Sequence, residues 1–159
     1  SAHINMLKSL GLRVVCFVDG GGMGGPVVDF IRRLGHDSSS VIEVLFGAEA
    51  DDPRKYHDKR AEMYGRLSDW LLTGALPKDD ELATELTALE YTFDNHESIQ
   101  LMKKEKMILL GGVSPDSADA VALTFAYNVA LPAPPGLEGR SDTVATRDKR
   151  TTYNPHGGR

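Results

Sequence analysis

Cysteine is nearly absent from this 159-residue chain. Cys16 stands alone, so no disulfide can form within the chain, and the expected setting is a reducing cytoplasm. Long apolar runs are missing too. No stretch approaches the roughly 20 residues of a membrane span, and the expectation is a protein with neither signal peptide nor membrane contact. Net basic charge is also lacking: the formal charge is -5, which argues against a protein that coats nucleic acid by neutralising phosphates along its whole surface. An enzyme that reaches DNA through a local basic patch and metal ions stays open. No Gly-Lys-Ser/Thr follows the glycine-rich stretch, which excludes a P-loop.

What the chain does have is the stretch RVVCFVDGGGMGG at 13–25. Its residues 14–18 are apolar, β-branched or aromatic and predict a strand buried on both faces, as in a parallel sheet. Asp19 then falls at the carboxyl end of that strand, where open α/β sheets place their ligand crevice. Glycines at 20, 21, 22, 24 and 25 permit a tight turn, and Pro26 suits the first turn of a following helix. Gly20, Gly22 and Gly25 have the spacing of a dinucleotide fingerprint, with Glu43 about 20 residues further on. A Rossmann-like nucleotide binder is therefore one alternative, and a plain strand-to-helix turn is another.

Composition fits one domain over residues 1–130 followed by a flexible tail over 131–159, where proline, glycine and charge lack apolar periodicity. A short helix over 1–12 precedes the first strand. Val27, Val28, Phe30, Ile31 and Leu34 predict a helix that Gly35 closes. A second strand over 41–46 implies a right-handed parallel crossover. Met63, Leu67, Trp70 and Leu71 mark one face of a helix over 59–72. Asp79 or Asp80 caps the next helix, with Leu82, Leu86 and Leu89 facing inward. Two short strands joined by a turn are expected over 90–101, a basic helix over 102–110, and a last helix over 114–127 with Ser114 as its N-cap and Pro115 in its first position.

Asp116 and Asp119 sit three apart in the first turn of that last helix, on one face. Acids are at home near a helix amino terminus. Ala118, Ala120 and Ala122 nevertheless make a slim helix that can lie against a sheet and bring both carboxylates toward the end of the strand carrying Asp19. Clustered carboxylates repel unless a cation neutralises them, and hard oxygen ligands without histidine or thiolate favour magnesium or manganese over zinc.

The order of VDGGGMGGPVVDFIRRLG, HDKRAEMYGRLSDWLLTGALPKDDELATEL and IQLMKKEKMILLGGVSPDSADAVALTFA resembles the nuclease domain of the large terminase subunit of tailed bacteriophages. SPDSADA also resembles the last motif of Holliday-junction resolvases of the same superfamily. The resemblance implies an α/β fold of ribonuclease H type, a mixed sheet flanked by helices, here lacking the amino-terminal strands. It implies a DNA endonuclease that cuts concatemeric double-stranded DNA by two-metal hydrolysis with Mg2+ or Mn2+ in the host cytoplasm during virion assembly. Asp19 matches the second catalytic acid. Asp119 or Asp116 matches the third, Asp119 being the nearer and Asp116 a second ligand. The first acid, on an amino-terminal strand, and the ATPase domain lie outside this sequence, so the chain is expected to cut weakly or not at all alone. The terminase small subunit and the portal protein are the implied partners, and a non-cleaving module that docks DNA or portal is the other alternative.

Arg54, Lys55, Lys59 and Arg60, and likewise Lys103, Lys104 and Lys106, are candidate DNA-phosphate contacts, with plain surface solubility as the competing reading. His3, His36, His57, His96 and His156 lack metal-like spacing and read as exposed loop or terminal residues. Trp70 and Tyr64 read as helix residues that are buried or half-buried.

Overall fold

A computed structural model describes residues 2–112 and 114–129, so the expected tail over 131–159 lies outside the described residues. The elements run α1 (Ala2–Ser9), β1 (Cys16–Asp19), α2 (Gly24–Arg33), β2 (Val41–Val44), α3 (Lys59–Leu71), α4 (Asp80–Thr87), β3 (Tyr91–Phe93), β4 (Ile99–Leu101), α5 (Lys104–Leu109) and α6 (Asp116–Leu123). This is a mixed α/β fold. β1 and β2 pair in parallel with Asp19 opposite Val44, and β3 and β4 pair antiparallel with Tyr91 opposite Leu101.

The β1-α2-β2 unit forms where the apolar periodicity places it, with one difference. Cys16, Phe17 and Val18 are only half-buried, because among the described residues β1 has a single strand partner. α2 differs in the same way: Val28 is buried, while Val27, Phe30 and Leu34 are exposed. Two glycines in the turn have steric reasons. Gly22 adopts a φ of 57°, a left-handed conformation that costs glycine little. Gly24 lies so close to the Asp19 carbonyl that any Cβ would collide with it.

The apolar core lies on the other face of the sheet. Val44, Met63, Leu67, Leu82, Ala118 and Ala122 are buried together between β2, α3, α4 and α6. Burying a side chain such as Leu67 stabilises the fold by roughly 1.5–3 kcal/mol. Ala118 and Ala122, one helical turn apart and fully buried, let α6 approach α3 closely. Trp70 and Leu71 lie at the edge of this core, about 40% exposed (39% and 38%), with the Trp70 ring 5.7 Å from Phe125.

Capping follows the sequence reading at α4, adds Asp58 at α3, and departs from that reading at α6. Asp58 accepts from the Ala61 N–H, and Asp79 accepts from those of Glu81 and Leu82. Ser114 does not cap α6: Pro115 takes the N-cap position, and the Ser114 hydroxyl donates to Asp116 at 2.8 Å. The free Ala118 N–H is instead met at 2.7 Å by Glu85, a buried acid on α4. At the other end, Arg66 donates to the carbonyls of Phe125 and Ala126. His36, expected in an exposed loop, is buried, and its Nε2 has no hydrogen-bond partner.

Candidate active site

Register decides which side chains can meet. Asp19 lies opposite Val44, and paired strand residues share a face, so Asp19 is on the face that carries the core, α3 and α6. Glu43, opposite Val18, is on the other face. A Cβ on Gly20 would come within 2.5 Å of Glu43 Oε1, so the Glu43 side chain occupies the close approach that a dinucleotide would need.

Asp19 ends β1 with an Asx turn, its Oδ1 accepting from the Gly21 N–H at 2.9 Å. It lines a cleft of about 980 Å³ together with Gly21, Gly22, His57, Arg60, Lys103 and Lys104. Lys104 joins this cleft to the acids of α6. Its Nζ lies 2.6 Å from Asp119 Oδ2 and 3.3 Å from Asp116 Oδ1, so one ammonium bridges both carboxylates. Partial burial alone would lower the pKa of Lys104, but the hydrogen bonds and charges of Asp119 and Asp116 outweigh it and raise it.

Asp119 is 5% exposed and held from three sides. Besides Lys104, Arg60 donates through Nε at 3.1 Å and Tyr64 through its hydroxyl at 2.7 Å, both to Oδ1. Burial first, and then the hydrogen bond to Asp119, push the Tyr64 hydroxyl far above its ordinary value, so it stays a donor at neutral pH. Asp119 Oδ2 faces the Lys104 ammonium at 2.6 Å. Asp116 is exposed, and the Ser114 hydroxyl followed by Lys104 holds its carboxyl below the usual range.

Solved structures share this architecture. The nuclease domain of the large terminase subunit of bacterial virus Sf6, as a lysine-to-alanine variant with manganese, is similar with a TM-score of 0.60 at 19% identity, over 79% of this chain and 70% of that chain. The fold is that of a terminase nuclease domain. The same variant with manganese and β-thujaplicinol gives 0.57 at 18% identity, and the domain without that substitution gives 0.53 at 19%, each over 80% of this chain and 70% of the other. No protein-family model matches the sequence, and no curated protein is significantly similar to it.

Within this terminase nuclease fold, Asp116 and Asp119 meet on Lys104, and Asp19 stands in the wall of the cleft that Lys104 also lines. Among the described residues, no three His, Cys, Asp or Glu side chains converge closely enough to hold a metal ion. The donor chemistry therefore suits a hard divalent cation, while the ligand count in this arrangement does not.

The basic candidates divide by burial. Lys103 and Lys104 line the cleft, and Lys106 is exposed beside Lys103 in an adjoining groove. Arg54 is exposed. Lys55 pairs with Asp69 at 3.9 Å and lines a separate, mostly apolar pocket of about 410 Å³ between α3 and the β3-β4 hairpin. Lys59 cannot touch DNA in this structure. It is 1% exposed, paired with Asp51 and Glu62 at 2.9 Å each, and lies over the Tyr127 ring. Arg60, also buried, is committed to Asp119 and to the Met102 carbonyl. Tyr64 and Arg60, one turn apart on α3, thus form a cradle for Asp119. Their i, i+4 spacing was the sequence signal for a shared partner.

Proposed function

We propose that this chain is the nuclease domain of a phage DNA-packaging terminase, a metal-dependent endonuclease acting on double-stranded DNA. The observation that carries the reading is Lys104. It holds Asp119 and Asp116 on one ammonium and shares a cleft with Asp19, so a cation already stands between two of the three acids assigned as ligands. In this proposal Asp19, Asp119 and Asp116 would hold Mg2+ or Mn2+, with Lys104 displaced from the two α6 acids. Bound divalent ions, two in this reading, would supply Lewis-acid charge for phosphodiester hydrolysis. The chain's own residues do the rest. Arg60 and Tyr64 keep Asp119 aimed, Gly21 orients Asp19 through its N–H, and Lys103 meets backbone phosphates. Cleavage by this chain alone is weak or absent, and the terminase small subunit and portal are its partners in the assembled motor.

Manganese binding measured by calorimetry tests this. Asp19→Asn keeps the turn acceptor at an exposed position, so the fold should persist while affinity falls at least tenfold, a loss of about 1.4 kcal/mol. Lys104→Ala should tighten binding by removing the competing ammonium. Manganese affinity that ignores both changes would show that the carboxylates do not act together, and a non-cleaving docking module would then be the better reading.

A further inference from the structure

The cleft carries one titratable pair that the metal chemistry does not use. His57 lies in the segment before α3. Its N–H donates to the Ile99 carbonyl at 2.9 Å, which fastens this segment to β4. Its Nδ1 lies 2.8 Å from Asp94 Oδ2 at the turn of the β3-β4 hairpin. Asp94 is itself fixed: its other oxygen accepts from the N–H groups of His96 at 2.8 Å and Ser98 at 3.0 Å. The hydrogen bond from His57, followed by the Ser98 N–H, holds the Asp94 carboxyl below the usual range. An ionised carboxylate only accepts, so the imidazole proton is on Nδ1 and Nε2 is the nitrogen left for another partner. His57 is also part of the cleft wall, with Lys103, Lys104 and Arg60.

Resting on the DNA reading above, we propose that His57, oriented by Asp94, is a pH-dependent phosphate contact for duplex DNA in this cleft. Neutral imidazole offers Nε2 only as an acceptor, which a phosphate cannot use. Imidazolium offers a charged donor on Nε2 while its Nδ1 proton stays on Asp94. Arg60 is spent on Asp119, so His57 extends the free positive charge from Lys103 toward the hairpin. The other ionisable groups bordering the cleft are the carboxylates of Asp19, Asp58 and Glu105 and the cations Lys103, Lys104 and Arg60, and Glu97 stands in the hairpin turn. His96, in the same turn, is the one control needed.

The test is equilibrium binding of a short fluorescent DNA duplex by the full chain in EDTA, as a function of salt at pH 5.5 and pH 8. Each phosphate neutralised adds about 0.9 to the slope of log affinity against log salt. The wild-type slope should be steeper by about that amount at pH 5.5, corresponding to roughly tenfold tighter binding at 0.1 M salt. His57→Gln should show the shallower slope at both pH values, Asp94→Asn should shrink the pH difference, and His96→Gln should keep it. A pH difference that survives in His57→Gln, or disappears in His96→Gln, overturns the proposal. Lys103→Ala separates the two levels of inference. If it weakens binding while His57→Gln changes nothing, only the His57 assignment falls. If the chain does not bind duplex DNA at either pH, the DNA reading falls and takes this proposal with it.

Discussion

The two faces of the β1-β2 sheet are finished to different degrees. On the α3-α6 face, Met63, Leu67, Ala118 and Ala122 are at most 1% exposed, and the polar groups among them are partnered: Glu85 with Ala118, Glu62 with Lys59 and Arg66, Asp119 with Arg60 and Tyr64. On the α2 side, Val28 and Val41 are buried, but Phe30 is 61% and Leu34 51% exposed, on a second helical stripe shared with Val27 that turns away from the sheet. The site geometry and the larger apolar core therefore reside on the α3-α6 face, while the α2 side adds a smaller buried set, Val28 and Val41, and the glycine turn that ends β1.

The largest effects should fall on the finished face. Leu67→Ala should cost about 2–5 kcal/mol, and Asp119→Asn, which leaves the buried Arg60 without its counter-charge, about 3–5 kcal/mol. Phe30→Ala, at an exposed site on α2, should stay within about 0.5 kcal/mol. Urea unfolding of the three variants tests the contrast directly. A cost at Phe30 comparable to that at Leu67 would mean that something covers the α2 face in solution.

Alkaline pH gives an intermediate effect at the same buried cradle. Tyr64 and Lys104 both have folded pKa values raised above their ordinary values of 10.0 and 10.5. The stability they contribute is then fully present below about pH 10 and is lost as pH rises through the folded values. The melting temperature should accordingly be steady up to about pH 10 and decline above it. Tyr64→Phe should melt lower at neutral pH and decline less steeply, because the unfolded chain no longer gains a proton-releasing phenol. An unchanged alkaline decline in that variant would place its cause elsewhere.

The sequence carried most of the element order, because periodicity and caps are local. Asp79 acts on N–H groups two and three residues away, so the cap and its partners stand side by side in the chain. It could not show that Lys59 is buried against Asp51 and Glu62, since a lysine in a polar segment has the same local pattern whether it faces water or a carboxylate. Nor could it show His57 against Asp94, 37 residues apart in sequence. The acids Asp19, Asp116 and Asp119 were legible as candidates, because strand-end and helix-start positions can be read locally. Their clamp of Arg60, Tyr64 and Lys104 was not, because it depends on how α3 and α5 dock.

The start of α6 offers the smallest effect and the sharpest separation of local from tertiary control. Its local signal, Ser114 before Pro115, places the cap on Ser114, whereas the structure gives the N–H of Ala118 to Glu85 from another helix. Ser114→Ala removes one exposed hydrogen bond to Asp116 and should change stability by less than about 0.5 kcal/mol. Glu85→Ala leaves a buried N–H without an acceptor and should cost about 1–3 kcal/mol. Hydrogen exchange at Ala118 distinguishes the two directly. Its amide should lose protection in Glu85→Ala and keep it in Ser114→Ala, and the reverse pattern would return the cap to Ser114.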